Sequence, residues 1–224
     1  MKLLVLITCM VGSSSAQIHP SFVAPADLPG RPRILVLGDS ISMGYTIPLR
    51  ERVGQLANVL RAPENCRSSR QLRARLEHYL ETKAWNVILF NCGLHDVVSI
   101  GPDGKGLLPS VGGTVQVSRE EYRRHLEAIV ARLKQTGALL LWVSTTPVGE
   151  NQYRRKQDVE QYNADAAGVM RRHGIRVVDL HGFVSGGIRL GEIDWSDGVH
   201  FTEASYAVIA AHLAEQLNPA LVAR

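Results

Sequence analysis

The chain reads as an α/β protein, a three-layer α/β/α sandwich built on a five-stranded parallel sheet. Three observations predict this. Short apolar runs alternate with longer stretches that place apolar residues at helical spacing, the pattern of repeated βαβ units. The short runs are continuously apolar, as strands covered on both faces are. The length of 224 residues, with 45% hydrophobic and 21% charged, suits one globular domain.

The elements follow in order. Lys2 supplies a positive start, residues 3–11 an apolar run, and residues 12–16 a small polar stretch. Ser14 and Ala16 occupy the −3 and −1 places of a signal-peptidase site, so residues 1–16 read as a signal peptide cut before Gln17. The competing reading is a buried N-terminal strand or helix. Thr8 ahead of Cys9 argues against a lipoprotein. The apolar run is too short to span a bilayer, so no stable membrane insertion is expected. The expected location is secreted or periplasmic. Residues 17–32 hold Pro20, Pro25, Pro29 and Pro32 without periodicity, and read as a tether leading into a domain over 33–224.

Residues 34–37 are the first strand, stopped by Gly38. A helix is expected over 45–56, a second strand over 58–60, and a helix over 69–82 with Leu72, Leu76, Tyr79 and Leu80 on one face. Residues 87–90 form the next strand. Ser118 followed by Glu121 is a capping-box pattern opening a helix to about Thr136, closed by Gly137. Residues 138–143 are a fourth strand, 158–173 a helix closed by Gly174, and 176–178 a fifth strand. Thr202 caps a last helix to about Leu217.

Ligands of open parallel sheets bind at the carboxyl ends of the strands. That rule selects residues 38–42, 91–96 and 144–147. Residues 97–117 form a long loop rich in glycine and proline, the kind that serves as a lid or binding loop.

Ser40 lies just past the first strand, in GDSIS, where a following helix directs backbone N–H groups at negative charge. A serine hydroxyl needs a base to act as a nucleophile. The segment DWSDGVHFT offers His200 as that base, with Asp197 placed to orient it and Asp194 as a rival acid. Asp39 and Asp96 read as caps of local turns. Trp85 and Trp142 read as core, while Trp195 is a candidate substrate contact. Arg67 and Arg70 either bind an anionic substrate or are simply solvated.

GDSIS near the start of the domain and DxxH near its end resemble the SGNH (GDSL-like) hydrolase family, over about residues 33–217. The segment NCGLHD stands in the place of that family's third block, and the sequence is similar to a GLHD-bearing, often secreted branch. The resemblance implies a flavodoxin-like fold, with Ser40 as nucleophile and Asp197 and His200 completing a triad. It implies an oxyanion hole from the N–H groups of Ser40 and Arg67 with the side chain of His95. His95 replaces the family's usual Asn, and Arg67 in ENCRSS replaces its usual Gly. Asn65 is a nearby alternative donor. The implied activity is hydrolysis of small acyl esters, with a carbohydrate O-acetyl ester as the expected substrate. The alternatives are a lipase, lysophospholipase or thioesterase, and a non-catalytic glycan-binding module.

Other chemistries find less support. His95, Asp96, Asp194, Asp197 and His200 lack metal-ligand spacing, so no metal and no cofactor are expected. The net charge of +4 is mild, and charges of both signs alternate along 119–127, so no nucleic-acid partner is expected. Cys66 and Cys92 remain once a signal is removed, either as a disulfide or as two buried thiols. With no CxxC, a redox role is not expected.

Overall fold

A computed structural model describes residues 18–104 and 106–222. The expected signal peptide lies outside them. Strands β1 (Arg33–Leu37), β2 (Asn58–Arg61), β3 (Val87–Phe90), β6 (Leu139–Val143) and β7 (Arg176–Val178) form one five-stranded sheet in the order β2-β1-β3-β6-β7. Every pairing in it is parallel. The remaining strands, β4 (Ser99–Ile100) and β5 (Thr114–Val115), form a separate antiparallel pair.

Among the described residues, six α-helices connect and cover the sheet: α1 (Ser40–Val53), α2 (Ser69–Leu80), α3 (Arg119–Lys134), α4 (Lys156–Arg172), α5 (Leu180–Leu190) and α6 (Glu203–Val222). Pairing α2 with α3 and α3 with α4 builds one layer, and α1 with α6 the other. Helices α1 and α6 meet so closely that a Cβ on Gly44 would lie 2.2 Å from the Tyr206 ring. The central strand β3 is buried throughout, and Phe90 meets Trp142 edge-on across β3 and β6. Trp85 and Trp142 are core residues, as their places in the pattern predict.

The structure departs from the sequence reading at four places. First, α1 begins at Ser40 rather than at Tyr45. Asp39 is its N-cap, its Oδ1 accepting from Ile41 N at 3.0 Å, so the connection from β1 shrinks to Gly38 and Asp39. Second, α5 has no counterpart in the sequence reading, because Gly182, Gly186 and Gly187 give its short segment a low helix propensity. Asp179 starts it by accepting from Gly182 N at 2.9 Å.

Third, part of the segment read as a tether packs against the domain. A short 3₁₀ turn, Pro20–Phe22, sits against α1, and Arg50 donates to the carbonyls of Ser21 and Val23. Fourth, the loop after β3 is folded back by the small β4–β5 pair and is tied to the segment after β6. Ser99 N donates to Tyr153 O and Ser110 N to Gln152 O, each at 2.8 Å. Cys66 and Cys92 are free and buried. Burial pushes the Cys66 thiol up to about 12 and raises Cys92 as well, which leaves both inert as thiolates.

Candidate active site

Four strand ends, those of β1, β2, β3 and β6, and the segment before α6 converge on one cavity of about 350 Å³. Ser40, Asn65, Leu94, His95, Asn151, Arg154, Asp197, Val199 and His200 line it. Ser40 is the first residue of α1, so its N–H is among the donors that the helix itself cannot satisfy. Its Oγ lies 2.7 Å from His200 Nε2. His200 Nδ1 lies 2.7 Å from Asp197 Oδ2. The other oxygen of Asp197 accepts from the backbone of Val199 at 2.9 Å and of His200 at 2.7 Å. The acid thus grips both the ring and the backbone of the histidine.

Burial works to raise the Asp197 pKa, but the N–H donors of His200 and Val199 outweigh it and hold it at about 2. The carboxylate is therefore charged wherever the imidazole needs a partner. Asp194, the rival acid, is exposed, and only its backbone is engaged, with Ser205 and Thr202. A serine hydroxyl bonded to an imidazole that is itself held by a carboxylate can shed its proton as it attacks a carbonyl.

The turn below Ser40 is held by Arg61, which the sequence reading passed over. Its Nη2 donates to the carbonyls of Gly38 and Asp39 and to Ser42 Oγ, and its Nη1 to the carbonyls of Ala62 and Glu64. It joins the loop after β2 to the turn after β1. A second tie links the second and third strand ends. Buried Asp96 accepts from Ser69 N at 3.0 Å and from Ser69 Oγ at 2.5 Å, and Ser69 Oγ also meets His125 Nδ1 at 2.9 Å. Gly93 is required beside it, since a Cβ there would fall 2.2 Å from Thr145 Oγ1.

Two assignments need correction. Arg67 does not present a free N–H. It adopts φ 52°, and its N–H donates to Asn65 Oδ1 at 2.8 Å in an Asx turn. The Asn65 amide, which lines the cavity, keeps its NH₂ unbonded to the described residues. Trp195 does not line the Ser40 cavity. It stacks on Phe201 with centroids 4.7 Å apart and faces a separate cavity beside Pro147, Gly149, His181 and Ile188.

His95 does line the cavity, and its ring makes no hydrogen bond to the described residues. Burial, joined by the nearby charges of Arg154 and Arg67, holds its pKa below the ordinary value, so the imidazole is neutral and carries one N–H donor. Arg154 and Asn151, from the segment after β6, were missed in the sequence. Their signal was available: they follow the third of the selected strand ends, but beyond the four residues that rule marked. None of residues 97–117 is among the cavity's lining residues.

A family model described as the GDSL-like lipase/acylhydrolase family matches residues 36–208, from β1 into α6. The chain belongs to that family. The chain shares its fold with several solved structures. A lipase/acylhydrolase from Enterococcus faecalis superposes with a TM-score of 0.67 at 17% identity, over 85% of this chain and 97% of that one. The acetyl xylan esterase AlAXEase gives 0.68 at 16% identity, over 83% and 99%. TesA gives 0.63 at 19% identity, over 84% and 99%. No curated protein matches. Among the described residues of the acylhydrolase, no group of three His, Cys, Asp or Glu side chains forms a metal-binding cluster.

Proposed function

We propose that this acylhydrolase is a secreted serine esterase that removes small acyl groups, acetyl above all, from a carbohydrate ester through an acyl-enzyme. The chain Ser40–His200–Asp197 carries the reading, with both links at 2.7 Å. Ser40 Oγ attacks the ester carbonyl while His200 Nε2 takes its proton. The same imidazolium returns the proton to the leaving alcohol, and a water then repeats the sequence on the acyl-serine. Asp197 stays ionised and stabilises the imidazolium. The oxyanion receives the N–H of Ser40, the ring N–H of His95 and the amide of Asn65, which takes the place expected of the Arg67 N–H.

Leu94 and Val199 are the only apolar side chains among the cavity's lining residues. They suit a short acyl group, while the polar remainder suits a hydroxyl-bearing alcohol. Secretion rests on residues 1–16 and the domain limits on 33–224.

The test is hydrolysis of 4-nitrophenyl acetate, butyrate and octanoate by the mature chain and by Ser40→Ala. Turnover of acetate should fall by about three orders of magnitude or more in the variant, and wild-type rates should drop with chain length. Rates that climb toward octanoate would replace the deacetylase with a lipase or thioesterase. No Ser40-dependent turnover on any ester would leave a glycan-binding module.

A further inference from the structure

We propose that the Ser40 cavity selects esters carrying a carboxylate, and that Arg154 is the residue that recognises it. The inference rests on the esterase reading above for what the ligand is, but not for whether an anion binds.

Arg154 lines the cavity beside His95 and His200. Its Nε donates to Leu94 O at 2.8 Å, which fixes the guanidinium against the third strand end. Its two terminal nitrogens make no hydrogen bond and no ion pair with the described residues. Several other arginines are engaged at those atoms. Arg119 takes both oxygens of Asp165, Arg132 takes both oxygens of Glu77, and Arg61 gives both terminal nitrogens to carbonyls and Ser42 Oγ.

Arg154 is half-buried, and burial pushes its pKa down, yet a guanidinium remains charged. The charges of Asp197, in the cavity, and of buried Asp39, beneath it, act on that guanidinium, but neither pairs with it. Asp197 is spent on His200, while Asp39 Oδ1 caps Ile41 N and its buried Oδ2 bonds to none of the described residues, Arg154 included. A partly desolvated cation with free, forked donors is poorly placed unless a ligand completes it. A planar carboxylate accepting two parallel N–H bonds matches that fork. Arg67 adds a second, exposed cation whose charge reaches His95 in the same cavity. The carboxylate sits either on the alcohol, as in an acetylated acidic sugar, or on the acyl group, as in a dicarboxylic half-ester.

Calorimetry with amide probes that cannot be hydrolysed separates binding from turnover. The probes are 4-acetamidobenzoate for the alcohol side and N-ethylsuccinamate for the acyl side, each against its methyl ester. The wild type should bind one acid about tenfold or more tighter than its ester. Arg154→Gln should abolish that preference, and Arg154→Lys should restore it only in part. Thermal melts of both variants check that they fold. The probe that shows the preference places the carboxylate. Equal binding of acid and ester for both probes, or a preference that survives Arg154→Gln, overturns the inference.

Turnover is then read separately, on 4-acetoxybenzoate and monoethyl succinate against methyl 4-acetoxybenzoate and ethyl butyrate. An Arg154-dependent preference in binding without Ser40-dependent turnover keeps the anion site and sinks the esterase. Ser40-dependent turnover that ignores the charge keeps the esterase and sinks the anion site.

Discussion

Two arginines approach the Ser40 turn, and they are bonded in opposite ways. Arg61 is buried at the end of β2, with its terminal nitrogens fully occupied by backbone carbonyls and Ser42, and its guanidinium 5.1 Å from the centre of the Phe22 ring. Arg154 hangs on a single bond to Leu94 O and faces the cavity. Burial lowers the pKa of both, so desolvation alone does not distinguish them. What differs is where the donors go. A cation whose donors end on the protein is part of the scaffold. A cation whose donors end in a cavity is available to a ligand.

The sharpest way to break this comparison is Arg61→Met. The substitution strands the carbonyls of Ala62 and Glu64 and takes one donor from those of Gly38 and Asp39, which keep the N–H groups of Cys66 and Met43. Removing one side of a buried charged network of this kind costs about 3–5 kcal/mol. Urea unfolding followed by circular dichroism should show a loss of that order. A loss under about 1 kcal/mol would mean that the turn holds its shape without Arg61.

The same contrast appears among the carboxylates. Asp197 is more than half exposed and its pKa is about 2, whereas Asp96 is buried and burial pushes it up to about 7 despite the donors of Ser69. The signs of their contributions to stability are opposite. The folded-state pKa of Asp197 lies below the unfolded value of about 3.9, so its contribution is present above that pH and is lost as pH falls toward 2. The folded-state pKa of Asp96 lies above it. The folded state keeps a proton that the unfolded state releases, so stability drains away as pH rises from about 4 to 7.

Asp96→Asn cannot ionise and should remove that drain. Its unfolding free energy relative to wild type should rise between pH 4.5 and 7.5, by an amount on the order of 1–3 kcal/mol. Paired denaturation curves at the two pH values measure this. A difference between the proteins that is the same at both would show that Asp96 is ionised in the fold at every pH tested.

The contrast between the arginines also marks what the sequence reveals. The five sheet strands were legible because each is an apolar run bounded by polar or turn residues. Ser40, Asp197 and His200 stood out because a strand-end serine and an acid three residues before a histidine are uncommon partners. Helix α5 was illegible because three glycines in eleven residues argue against a helix, although Gly187 is needed where a Cβ would lie 2.6 Å from Ile193. Arg61 and Arg154 are alike in one dimension. Nothing local separates a guanidinium folded onto four carbonyls from one left facing a cavity, because those acceptors are assembled by contacts between distant segments. The Asn65–Arg67 turn was missed for a smaller reason. A side chain two residues back competes for the N–H that the family resemblance assigned to the oxyanion.

The smallest expected effect is the most discriminating. Arg154→Met keeps much of the stem's length and removes the charge. If Arg154 were a scaffold residue like Arg61, this change would cost several kcal/mol. Only the Nε bond to Leu94 O is lost, and the half-buried charge that burial opposes is lost with it. These two terms have opposite signs, and replacing a poorly compensated charge by an apolar side chain is often close to neutral. The change in unfolding free energy should therefore stay within about 1 kcal/mol, measured in the same urea titration as Arg61→Met. A loss comparable to that of Arg61→Met would move Arg154 into the scaffold and remove the structural reason for expecting an anion in the cavity. A near-zero change leaves its free donors without a folding role, which is the condition that a ligand-directed arginine has to meet.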